Sequence, residues 1–341
     1  MAKHMNVRDS KDLAFVPNVS SGINAILRSL KLSSTDVLVH FSEAYGSVKL
    51  AIQHVAHSSG AKVVEVPVKF PFSDKDVVDS LEQTLEKHGK NVKLVVVSHI
   101  SSVPAAIFPV KKLVKMGRER NTAVLVDGAH ALGQIEVDLQ DLDPDFYVTN
   151  CHKGSGIIYV RKNFQATVHP VVISWNYNGG FQAEFNQQGT LDYSAFLTVP
   201  AALEFRTKLG DKKIMDYNSQ LADYAAKTLS QVWQTDVLRS STDSPLTLSM
   251  VNVRLPFNDS IVVHTVVERL MLSHRTFMAT FVEQNKWYAR ISAQIYNEKS
   301  DYDRLAVDVL NMKKLLEFPV TNAYPYCLLT ISYEVKFSRL F

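Results

Sequence analysis

The sequence predicts an α/β fold, with a large domain built on a mostly parallel sheet and a smaller α+β domain after it in the chain. Three observations carry this. Short β-branched runs alternate with segments of helical period through the first part of the chain, which is the pattern of βαβ units. From about Pro200 the texture changes to longer helical stretches followed by strands. The length, 341 residues, exceeds what one small core holds, and 46% hydrophobic with 21% charged residues is the balance of an ordinary globular protein. The division expected is 1–200 for the large domain, 201–316 for the small one and 317–341 for an atypical tail.

Taken in order, FVPNVSSGINAILRSL reads as strand, turn and helix, the helix expected from about Ile23. DVLVH is a strand, and YGSVKLAIQHVAHSSG is a helix closed by Gly60. KVVEVPV is the next strand. DKDVVDSLEQTLEKHG opens with acids and stops at Gly89, as a helix does, and VKLVVVSH follows as a strand. VKKLVKMGRERN is helical, and AVLVDGAH and DFYVTN are strands. Beyond Pro200, YNSQLADYAAKTLSQVW is a long helix, with strands in LTLSMVNVRL and YARISAQIY. After Lys314 the chain turns aromatic and β-rich.

Composition also narrows the function. A net charge of +3 with acids and bases interspersed offers no basic stripe, so nucleic acid is not an expected partner. Cys151 and Cys327 make neither a disulfide framework nor a spaced metal-ligand set, so no metal site is expected and a reducing, cytoplasmic setting is. The N-terminus lacks an apolar signal core, and no run approaches the ~18 apolar residues of a membrane span, so no membrane association is expected.

In open α/β sheets ligands sit at the carboxyl ends of strands. Asp127 closes the strand AVLV, and Lys153 closely follows DFYVTN, so both have access to one crevice. A lysine there forms a Schiff base and a carboxylate holds a pyridine nitrogen protonated, the two protein groups that pyridoxal phosphate requires. A turn-capping Asp127 and a solvated Lys153 remain the plainer reading of these two residues alone. NVSSGIN adds a third ingredient, free N–H groups at a helix start with the hydroxyls of Ser20 and Ser21, although Asn18 or Ser21 as a plain N-cap is the simpler reading of this turn alone.

VDGAHALGQIEVDL followed by DFYVTNCHK, with NVSSGIN upstream and GTLDYSAFLTVPAALEF and RISAQIYNEKSDYDRLA downstream, resembles the class V aminotransferase superfamily of pyridoxal phosphate enzymes. Within it the chain is most similar to the isopenicillin N epimerase-like and L-cysteine desulfhydrase branch. The resemblance implies the type I fold of pyridoxal phosphate-dependent transferases, an amino-acid substrate and a homodimer. It implies Lys153 as the Schiff-base lysine, Asp127 as the partner of the pyridine nitrogen and His130 near the ring hydroxyl. It further implies Tyr45 against the ring, with Ser20, Ser21 and Asn150 at the phosphate. Thr190 would reach a phosphate in the neighbouring subunit, and Arg290 would hold the substrate carboxylate.

The chain departs from that pattern in places. Relatives carry several more residues, usually opening with tryptophan, between the lysine and the Gly-Ser-Gly turn, whereas here CHK runs straight into GSGIIYV and the two strands can close as a hairpin. Relatives also begin with a further N-terminal segment, so the chain reads as N-terminally truncated, and the apolar tail has no counterpart. A persulfide-forming desulfurase is set aside, because MLSHRTFMATFVEQNKWYAR holds no cysteine. A lyase needs one base and a leaving group, while an epimerase needs a second, opposed base. C–S lyase therefore comes first, with epimerase, aminotransferase or an inactive relative as alternatives.

Overall fold

A computed structural model of the protein describes residues 1–151, 154–239, 242 and 248–317. The first part runs β1 (Leu13–Val16), α1 (Val19–Ser29), β2 (Val37–Phe41), α2 (Gly46–Ser59), β3 (Lys62–Val66), α3 (Asp74–His88), β4 (Val92–Ser98) and α4 (Val110–Glu119). It continues with β5 (Ala123–Asp127), α5 (Leu139–Leu142), β6 (Phe146–Asn150), β7 (Gly156–Val160) and α6 (Phe181–Asn186). Seven strands form one sheet in the order β1-β7-β6-β5-β4-β2-β3. The run β6-β5-β4-β2-β3 is parallel, and β7 and β1 add on antiparallel at the β6 side.

Both faces of this sheet are covered, which is why β2, β4 and β6 are almost continuously apolar rather than alternating. Val95, Val97, Val124, Val126 and Tyr147 point to one face, where they meet Leu81 and Leu85 of α3 and Leu113 of α4. Leu94, Val96, Leu125, Phe146 and Val148 point to the other, against Ile23 and Ile26 of α1 and Ile52 of α2. The two faces take alternate residues of each strand, so a one-residue slip would exchange both cores at once.

The second part comprises α7 (Ser194–Leu197), α8 (Val199–Leu209), α9 (Asp211–Trp233), β8 (Val237–Leu238), β9 (Met250–Arg254), α10 (Ser260–His274), β10 (Ala279–Glu283), β11 (Lys286–Ser292) and α11 (Lys299–Glu317). Its strands form an antiparallel sheet in the order β10-β11-β9-β8, packed under α9, α10 and α11. This is the expected α/β architecture with a small second sheet.

Two local expectations change. The helix expected from about Ile23 begins at Val19, because the extended backbone of Asn18 lets its side chain accept the Ser21 N–H and cap the helix four residues earlier. The stretch after Lys314, expected to turn β-rich, is still helical to Glu317 as the end of α11, with Leu316 packing on the small core. The tail 318–341 lies outside the described residues. The expected hairpin is present, with Asn150 of β6 opposite Gly156 of β7 and the Cys151 N–H donating to the Ser155 carbonyl at 2.9 Å.

Candidate active site

In the large sheet β2 is followed by β3 at the edge, while β4 on the other side of β2 starts the run toward β6. The connections after β2 and β4 therefore lead away from each other and open a crevice at the strands' carboxyl ends. A cavity of about 340 Å³ lies there. Ser20, Tyr45, Asp127, His130, Asn150 and Arg290 all line it. These six come from the first turn of α1, the loop after β2, the end of β5 and the turn beyond it, the end of β6, and β11 of the smaller sheet.

Asp127 is buried, with one carboxylate oxygen accepting the Ala129 N–H at 3.0 Å. Among the described residues no cation pairs with it. Burial outweighs that single hydrogen bond and pushes the carboxyl up to about 6. Behind it the backbone is held on both sides: the His99 N–H donates to the Asp127 carbonyl at 2.8 Å, and the Gly128 N–H donates to Val148 at 2.7 Å. The fully buried Tyr147 closes against Gly128 and shares a 2.9 Å hydrogen bond with His99 Nδ1. Burial pulls His99 down to about 4, so this histidine is a neutral neighbour that offers Asp127 no counter-charge.

Arg290 has the opposite sign and the same lack of a counter-ion. Its Nη1 donates to the hydroxyl of Ser102 at 2.9 Å and to the Ser102 carbonyl at 3.2 Å, and its buried Nε has no partner among the described residues. Among the described residues no carboxylate stands against it, and desolvation holds its pKa below the usual guanidinium range. A half-buried guanidinium in this state is suited to a carboxylate ligand.

Two expected site residues lie outside this cavity. Ser21 gives both its N–H and its hydroxyl to the Asn18 side chain and faces an adjoining groove of about 430 Å³. Thr190 is exposed and does not line the cavity. Lys153 lies outside the described residues. Sequence reasoning missed Asn18, Ser98, Ile100 and Ser102, which also line the cavity. Ser98 ends β4 and Ile100 and Ser102 follow in the loop beyond it, and the carboxyl-end rule that singles out Asp127 points to the same place in VVVSHISS. His99 in the same stretch serves as the buried neighbour of Asp127.

Cys151 is half-buried beside this site, and burial pushes its thiol up to about 11, so it is not a thiolate near neutral pH. Fit to pyridoxal phosphate rests on the donor set. The α1 N-terminus with the Ser20 hydroxyl suits a phosphate, and the buried, cation-free carboxylate of Asp127 suits a protonated ring nitrogen. The residues present fit the group.

A sequence model of the family described as Aminotransferase class-V matches residues 1–305. A putative L-cysteine desulfhydrase of Oryza sativa subsp. japonica is 30% identical over 343 residues, covering 88% of this chain and 70% of that protein. The isopenicillin N epimerase of Streptomyces clavuligerus is 26% identical, covering 87% of this chain and 79% of that protein. Among solved structures, the cystine C–S lyase C-DES in complex with its reaction product cysteine persulfide matches with a TM-score of 0.77 at 19% identity, over 90% of this chain and 83% of that one. At that identity the likeness speaks for the type I fold.

Proposed function

The chain belongs to the class-V aminotransferase family, whose members use pyridoxal phosphate and act on amino acids, and from that premise we propose that it is a C–S lyase releasing sulfide from L-cysteine by β-elimination. The observation that supports this most is that a buried acid, Asp127, and a guanidinium, Arg290, each without a counter-charge among the described residues, line one cavity.

When bound, pyridoxal phosphate supplies an electron sink for the charge that develops at the substrate Cα. In this reading Asp127 would keep a proton on the ring nitrogen, and Ser20 and Asn150, which line the cavity, would orient the phosphate end, whereas Ser21 is taken up by Asn18. Tyr45 and His130, which line the same cavity, would hold the ring. Arg290 binds the substrate carboxylate through its free edge and so aligns the Cα–H bond. Lys153, assigned by its place after TNCH, carries the cofactor and then takes the Cα proton on Nζ. Sulfide leaves from Cβ, and the remainder hydrolyses to pyruvate and ammonia. Elimination requires only that one base, and the raised thiol of Cys151 fits a structural role rather than persulfide transfer. The active unit proposed is a cytoplasmic homodimer in which Thr190 completes the neighbouring site.

One observation favours a second reading, a protein that keeps the fold without the chemistry: β6 and β7 are joined by residues 151–155 alone. Adding pyridoxal phosphate to the purified protein separates the two. The lyase reading expects a visible absorbance band, a borohydride-stable pyridoxyl label on Lys153, and sulfide release that is lost in Lys153→Ala. An absent band, or a label on another lysine, would sink it.

A further inference from the structure

Arg290 enters the crevice from the smaller sheet, so its place there depends on how that sheet is held against the larger one. On the large-sheet side its guanidinium is held by Ser102, through the hydroxyl at 2.9 Å and the carbonyl at 3.2 Å. Ser102 belongs to the loop between β4 and α4, and that loop is braced from within. The Ser101 N–H donates to the Ala106 carbonyl at 2.9 Å, and the Ser101 hydroxyl donates to the Pro104 carbonyl at 2.6 Å. At its start, His99 is tied to the Asp127 carbonyl.

The same loop is gripped from across the seam by Asn252 of β9. This side chain is 1% exposed. Its Oδ1 accepts the Ala105 N–H at 2.9 Å, and its Nδ2 donates to the Ala105 carbonyl at 3.0 Å. A carboxamide presents a donor and an acceptor side by side, so it pairs with both groups of one residue as a neighbouring strand would. In the β9–β11 register Asn252 stands directly opposite Arg290. One position of the small sheet thus fixes the loop, and the position paired with it carries the guanidinium that the loop's Ser102 receives.

We propose that Asn252 is a positioning residue for substrate binding: by clasping Ala105 it fixes the loop against β9, and so holds Ser102 where it aims Arg290 at the substrate carboxylate. The chain of contacts is closed, running from Asp127 through His99, the loop and Asn252 to β11 and Arg290, so the two charged groups of the cavity are held at one separation. Cutting the clasp leaves two buried backbone groups without their amide partner and lets the loop and the guanidinium move apart. The inference rests on the reading of Arg290 as the carboxylate anchor.

The test compares two amines on the protein loaded with pyridoxal phosphate, L-alanine, which has a carboxylate, and ethylamine, which lacks one, with binding followed by the cofactor's absorbance. Asn252→Ala should lower the affinity ratio of L-alanine to ethylamine by about tenfold, the scale of one lost hydrogen bond to a charged group. Ethylamine affinity should stay the same, and hydrogen exchange at the Ala105 amide should speed up. Arg290→Ala should lower the ratio at least as far. If Arg290→Ala lowers the ratio and Asn252→Ala does not, the clasp has no positioning role and the carboxylate reading stands. An unchanged ratio in Arg290→Ala removes the anchor itself, and the proposal with it. An equal loss for both amines in Asn252→Ala marks general loosening and also overturns the proposal. Should Asn252→Ala fail to fold, Ser102→Ala cuts the other link, and an unchanged ratio there overturns it too.

Discussion

Asp127 is buried at a cost to the ligand-free fold. Its carboxyl is pushed up to about 6 from an ordinary 3.8 because burial is opposed by a single backbone N–H. A folded-state pKa above the unfolded one means that the folded protein holds the proton more tightly. The group's contribution is therefore most favourable below pH 4 and is lost as pH rises through 6. Two pKa units correspond to about 3 kcal/mol. Without cofactor, Asp127→Asn should be more stable than the parent by up to that amount at pH 8, with the difference vanishing near pH 4. Urea unfolding at the two pH values checks this, and equal midpoints for the two proteins at pH 8 would contradict it. With pyridoxal phosphate the order should reverse, because the protonated ring nitrogen supplies the missing charge and asparagine does not. At this scale the sequence showed which acid to watch, since a polar residue ending an apolar strand is conspicuous. It did not show that Ser21 would be taken up by Asn18, which depends on the helix starting at Val19.

Among the elements, the junction of β5 with the turn that follows sets the site's geometry. A Cβ on Gly128 would stand 2.4 Å from the ring of Tyr147, which is fully buried and bonded to His99. Neither the ring nor the strand beneath it has room to retreat. Gly128→Ala should destabilise the protein by about 1–3 kcal/mol through overpacking and should weaken pyridoxal phosphate binding by displacing Asp127. Urea titration and cofactor titration read the two effects. A variant with parental stability would show that Tyr147 can move, and the account of a rigid wall behind Asp127 would fall. The β-branched runs and the Gly60 and Gly89 stops marked these elements in advance, because strand and helix periodicities are local properties. The early start of α1 was marked only through the alternative of Asn18 as a plain cap, since a cap depends on one backbone angle there.

For the whole molecule, the proposed dimer bears on surface the single chain leaves open. Trp175 is 90% exposed, Leu197 and Phe205 are also exposed, and of α8 only Val199 is buried. Exposed apolar side chains along residues 171–205 are consistent with a second copy covering them. Thr190 lies in the same stretch and does not line the cavity of its own chain. If each site takes Lys153 from one subunit and Thr190 from the other, mixing Lys153→Ala with Thr190→Ala chains should restore part of the activity, because one of the two sites in a mixed dimer is intact. Mixed dimers that stay inactive would count against a shared site. No helix among the described residues is long and apolar enough to cross a membrane.

The sequence by itself determined the α/β class, the order of the elements and the identity of Asp127, Tyr45, Asn150 and Arg290 as candidates. Each of these follows from hydrophobic period, turn residues or motif resemblance, all of which are read along the chain. Tertiary structure alone decided that Arg290, on the smaller sheet, faces Asp127 on the larger one across 163 positions of sequence, and that Asn252 grips Ala105 between them. Those contacts join separate sheets, and their energy comes from satisfying buried charges and amides at a seam that exists only once both cores have packed.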